Sequence, residues 1–143
     1  MQVKIKKLHN NAVIPQYAKA GDAGMDLVAT EIIREDCYRI TYGTGIAIEI
    51  PEGFVGLVFP RSSIRKYDLV LSNCVGVIDS GYRGEIQATF NTINHNHIRV
   101  DDYKVGDKIA QMIILPYPPI EFLEVDELSD TERGAGGFGS TGN

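Results

Sequence analysis

A chain of 143 residues with 43% apolar content suits one domain with a core of its own and leaves little room for a second. A formal net charge of −5 argues against a general nucleic-acid binder, because phosphate-backbone affinity needs a cationic face; local cations at Arg61, Arg65, Lys66, Arg83 and Arg133 suit a small anionic ligand better. Cys37 and Cys74 lack disulfide-framework or zinc-ligand spacing, Met1 to Asn11 has no apolar h-region, and no run reaches membrane-spanning length, so a reducing, cytoplasmic setting without membrane attachment is expected.

The chain opens with strand-like character at Val3, Ile5 and Leu8. A further strand is expected over Leu27 to Ala29, and Ile46, Ile48 and Ile50 alternate cleanly. Pro51 to Gly53 then turns the chain into an apolar strand, Phe54 to Phe59. Ser62 to Tyr67 is the one stretch that offers a helical turn, with Ser62 or Ser63 as cap and Ile64 and Tyr67 on a shared face. Asp79-Ser80-Gly81 reads as the opening of a hairpin before Gly84 to Phe90, where Ile86, Ala88 and Phe90 alternate. Asn94-His95-Asn96-His97 reads as a polar hairpin loop, and the histidines, His9 included, show no mutual spacing of a metal or triad set. Gly106 and Asp107 form a turn into a buried strand, Ile109 to Ile114. Pro116 to Ile120 reads as an extended connector outside any central ladder. The expectation is an all-β jelly-roll-like sandwich or barrel over residues 1–128, followed by a mobile Gly-rich arm over residues 129–143.

Several stretches carry residue types suited to phosphate chemistry. In the arm, glycines let backbone N–H groups converge on phosphate oxygens, Arg133 offers a bidentate fork, Ser140 and Thr141 add hydroxyls, and Phe138 can stack on a base. Arg61, Ser62 and Ser63 follow a strand end, where they serve either as a phosphate cradle or as a surface charge and helix caps. Asp79 is either a turn former or a carboxylate able to activate water, and Tyr82 can pack on a sugar. Asp26 is a turn residue, an ion-pair partner or a carboxylate facing hydrated magnesium. Gln111 interrupts an apolar run, so its amide either bonds backbone or faces a site.

Taken in order, Ala20 to Leu27, Pro60 to Ser63, Gly76 to Glu85, Gly106 to Gln111 and Arg133 to Gly142 resemble the five motifs of trimeric dUTP diphosphatases, across essentially the whole chain. The resemblance implies a jelly-roll subunit in a homotrimer with shared active sites, the arm of one chain closing over another's site. It implies hydrolysis of dUTP to dUMP and pyrophosphate, with Asp79 as general base for attack at the α-phosphorus. Gln111 would position the water or the α-phosphate, and Asp26 would hold magnesium through its waters. Arg61, Ser62, Ser63, Arg133, Ser140 and Thr141 would contact phosphates, with Gly139 beside them in the arm. Phe138 would stack over uracil, the Asn73 to Ile78 hairpin (Gly76, Val77 and Ile78 included) would read its edge, and Tyr82 would pack on the deoxyribose. A dCTP deaminase, or a bifunctional deaminase and diphosphatase of similar fold, would be expected to place a glutamate in the base pocket and to lack the Phe-containing arm. A nucleotide-sensing protein-binding module is the reading from a different class.

Overall fold

The computed structural model describes residues 1–93 and 102–137. Among them run ten strands: β1 (Lys4–Lys7), β2 (Met25–Val28), β3 (Glu31–Glu35), β4 (Arg39–Gly43), β5 (Ile46–Glu49), β6 (Phe54–Pro60), β7 (Leu69–Leu71), β8 (Gly76–Ile78), β9 (Gln87–Thr92) and β10 (Lys108–Pro116). They form two four-stranded sheets, ordered β2-β10-β6-β8 and β3-β4-β9-β7, and a β1-β5 pair, all antiparallel. The all-β expectation stands, and the described helical structure is the five-residue 3-10 turn Ser62–Lys66.

The period-two reading places the core correctly at Ile86, Ala88 and Phe90, whose side chains are buried between the sheets with Ile40, Leu27 and Met112. Tyr42 packs edge-on against Phe90, ring centroids 6.0 Å apart, and its hydroxyl donates to the Tyr103 carbonyl at 2.7 Å. The buried hydroxyls of Thr30 and Thr44 likewise donate to backbone carbonyls, of Gly43 at 3.1 Å and Ile86 at 2.6 Å, which offsets their desolvation.

Five local expectations are corrected. Asp79 to Gly81 does not open a hairpin: β8 pairs with β6 while β9 pairs with β4 and β7, so this turn crosses from one sheet to the other. Asn73 to Ile78 is for the same reason a turn plus an edge strand, with Cys74 in the left-handed region at φ 59°. Neither serine caps the 3-10 turn, because Arg61 occupies the N-cap position and makes no side-chain cap bond. Asp26 lies inside β2, not ahead of it. Pro116 belongs to the ladder opposite Phe54, tolerated because β2 pairs β10 only as far as Met112 and leaves that edge open.

Candidate active site

Two groups of predicted residues form, at different ends of the β2-β10-β6-β8 sheet. In the first, strand register sets the geometry. Asp26 stands opposite Gln111 across β2 and β10, and Gln111 stands opposite Phe59 across β10 and β6. Directly opposed residues project from the same face, so the carboxylate and the amide are neighbours beside the end of β6. The Gln111 amide donates from Nε2 to the Pro60 carbonyl at 3.0 Å. Of the two sequence readings for Gln111, backbone bonding is what the structure shows, from a position next to Asp26.

Past β6, Arg61 turns back over this row. Its Nε donates to Asp26 Oδ1 at 2.6 Å, its Nη1 reaches Ser63 Oγ at 3.3 Å, and Lys108 Nζ lies 2.9 Å from Asp26 Oδ2. Ser62 is exposed on the same turn. Burial by itself would raise the Asp26 carboxyl, but the hydrogen bonds and charges of Lys108 and Arg61 outweigh it and hold it below its ordinary 3.8. Lys108 carried no role in the sequence reading. Its motif gave a cation, and only the β2 to β10 register brings that cation to Asp26.

This ion-pair group has a testable pH signature. A carboxyl held below its ordinary value stabilises the folded state above that value and loses the contribution as pH falls through the lowered one. Asp26→Asn is expected to cost about 1 kcal/mol near neutrality, because the pair is partly exposed. The difference from the parent should close as pH drops below 3.8, followed by urea unfolding across an acid series.

The second group surrounds β8, the edge strand of the sheet. Val77, Ile78, Asp79 and Tyr82 line a polar recess of about 210 Å³ together with Glu85 and Gln87. Asp79 is exposed there, and its carbonyl accepts the Tyr82 N–H at 3.1 Å. The Tyr82 hydroxyl donates to the Glu85 carbonyl at 3.0 Å, which lays the ring across its own turn. That placement requires Gly84, where a Cβ would collide with the phenol. Asn73 lines an adjoining recess with Arg39, Ser72, Gln87, Thr89 and Asn91, so Gln87 borders both. Gly76 is buried against Val58 and the Asn73 amide. Glu85 and Gln87 were not singled out by sequence; Gln87 alternates with core residues on β9 and looked like a solvent-facing position.

Antiparallel pairing also separates the groups. Ile78 stands opposite Gly56, so Asp79 lies level with the start of β6, whereas Arg61 follows its end. Along the strand that is on the order of 20 Å at about 3.3 Å per residue. Within one chain, Asp79 and the Arg61 group therefore do not face a common small ligand.

Arg133 joins neither group: its Nε donates to the Gly136 carbonyl at 3.1 Å within a local turn. Phe138, Gly139, Ser140 and Thr141 lie outside the described residues, as does Asn94-His95-Asn96-His97.

The comparisons bear on the whole chain. A family model described as dUTPase matches residues 10–142. The deoxyuridine 5'-triphosphate nucleotidohydrolase of Nautilia profundicola is 46% identical over 144 residues, covering 99% of each chain. That of Thermobifida fusca is 43% identical over 145 residues, covering 99% of this chain and 79% of its own. A solved structure of the Staphylococcus bacteriophage 80alpha dUTPase with dUPNHPP superposes with a TM-score of 0.84 at 28% identity, covering 99% of both chains. With a family match over nearly its full length and relatives above 40% identity, the chain belongs to the dUTPase family.

Proposed function

We propose that this protein hydrolyses dUTP to dUMP and pyrophosphate, limiting uracil incorporation into DNA and supplying dUMP for dTMP synthesis. The observation that carries the reading is the pairing of a preformed cationic cradle, Arg61 with Ser63 beside Asp26 and Gln111, with a carboxylate-bearing recess at an edge strand, in a chain of this family. The nucleotidohydrolase activity in the relatives' names and the nucleotide analogue in the phage structure agree with it.

Asp79 accepts the proton of the attacking water, Gln111 orients that water or the α-phosphate, and the α-phosphorus releases pyrophosphate. Arg61, Ser62 and Ser63 neutralise and orient the phosphates. Gly76 to Ile78 present the outer edge of β8 to uracil, and Tyr82 lies flat against the deoxyribose. Arg133, Gly139, Ser140 and Thr141 close on the phosphate end, and Phe138 stacks on the base. The donor set fits an outer-shell divalent cation. Each Asp26 oxygen accepts one bond from Arg61 or Lys108 and retains a lone pair for a metal-bound water. Magnesium would supply charge neutralisation of the triphosphate, held chiefly by the phosphates themselves.

Because one chain keeps Asp79 and Arg61 far apart, we read the working enzyme as a homotrimer in which sites form between copies. The exposure of Ile120 at 71%, Phe122 at 93%, Leu123 at 84% and Leu128 at 87% supports this reading. Each such side chain contributes about 1.5–3 kcal/mol when another surface covers it. The described helical structure includes nothing long and apolar enough to cross a membrane, and a cytoplasmic location without nucleic-acid or membrane partners is the setting we propose.

The deciding experiment incubates the protein with dUTP, dCTP, dTTP and UTP separately in magnesium and resolves the products. Formation of dUMP and pyrophosphate from dUTP alone establishes the reaction, whereas deamination of dCTP would replace it. A finer check uses Gly24, where a Cβ would sit 2.6 Å from Gln111 Oε1. Gly24→Ala is expected to displace the amide and to lower kcat by about 10²-fold, with the melting temperature nearly unchanged.

A further inference from the structure

Three side chains converge from distant parts of the chain, His9 and Glu31 from outside the two groups described above and Glu85 from the rim of the β8 recess. His9 follows β1, Glu31 opens β3, and Glu85 lies between Tyr82 and β9. One ligand atom of each lies within 4.8 Å of the others, and His9 Nε2 is 3.2 Å from Glu31 Oε1. That separation is close to the edge of a tetrahedron with metal-ligand bonds of about 2.1 Å. The backbone holds the cluster in place: Glu85 Oε1 accepts the Gly45 N–H at 2.7 Å, which orients its carboxylate before any ion arrives. Two glycines leave the room. A Cβ at Gly43 would stand 2.7 Å from Glu85 Oε1 and 3.1 Å from Glu31 Cγ, and one at Gly45 would stand 3.2 Å from His9 Cδ2.

We propose that His9, Glu31 and Glu85 bind one divalent transition-metal ion per chain, separate from the magnesium carried by the nucleotide. The donor set decides the class. One imidazole with two carboxylates suits zinc, cobalt, nickel or manganese, whereas magnesium prefers oxygen donors and keeps its waters. Three protein ligands leave room for water on the ion. The ion ties the loop after β1 to β3 and to the segment behind Tyr82, so its expected effect is on stability and not on the chemical step. Two carboxylates brought beside one imidazole also repel each other less once a cation lies between them.

The test uses the full chain without nucleotide, in excess magnesium, titrated with Co²⁺ and followed by visible absorption and by thermal melting. The parent is expected to take up one Co²⁺ per chain more than His9→Ala, with absorption bands of low-symmetry cobalt that Zn²⁺ abolishes. Its melting temperature should rise by several degrees at about a hundredfold excess over Kd, a rise that His9→Ala lacks. Glu31→Gln should weaken uptake at least about tenfold, while both variants turn over dUTP in magnesium like the parent, which shows them folded. Equal cobalt uptake by the parent and His9→Ala, or no uptake by either, overturns the proposal.

Discussion

Asp79→Asn is expected to lower dUTP turnover by about 10²–10⁴-fold while leaving dUTP binding in place, since the amide keeps the size of the side chain and loses its basicity. Asp79 is exposed in the β8 recess, and its replacement removes no buried contact. Single-turnover rates set beside equilibrium binding of a non-hydrolysable analogue measure the split. A rate close to that of the parent would remove Asp79 from the role of base.

The same variant tests the assembly. Arg61→Ala should also be inactive, because it takes away the cradle and leaves Asp26 with Lys108 as its remaining cation among the described groups. If each site takes the Arg61 group from one chain and Asp79 from another, refolding the two inactive variants together should restore activity. Random mixing makes roughly a quarter of the sites free of both substitutions. No recovery after verified mixing would place both groups of a site in one chain, against the separation along β6.

Deleting Arg133 to Asn143 is the second change of large expected effect. It removes Arg133, Phe138, which we propose stacks on the base, and the hydroxyls of Ser140 and Thr141, while retaining the exposed apolar residues from Ile120 to Leu128. We expect turnover to fall by at least about 10²-fold through lost orientation and lost exclusion of water. The assembly and the melting temperature should change little, measured by light scattering and calorimetry. A truncated chain that dissociates would instead make the arm a structural element.

Much of the fold was legible because a half-buried strand writes its burial into every second residue. Ile86, Ala88 and Phe90 show this, and their outward neighbours on β9 are Gln87, Thr89 and Asn91. β3 could not be read this way: all five of its residues are exposed, so no alternation marks it. The turn at Asp79 to Gly81 shows a different limit. Its residue types announce a reversal of direction correctly, but the same types serve a hairpin and a crossing between sheets.

The sequence by itself determined the chemical inventory and the family: an acidic chain with separated cationic motifs, carrying the Arg61 to Ser63 triplet, Asp79, Gln111 and a glycine-rich C-terminal stretch, in that order. Tertiary structure alone decided which of these meet. The register of β2, β10 and β6 puts Asp26 beside Gln111 and under Arg61 and Lys108. The pairing of β8 with β6 carries Asp79 to the far end of the sheet, and a three-segment convergence brings His9 to Glu31 and Glu85. The physical reason is that side-chain type and periodicity are local properties of a chain, whereas the pairing of strands distant in sequence is set by how the whole core packs.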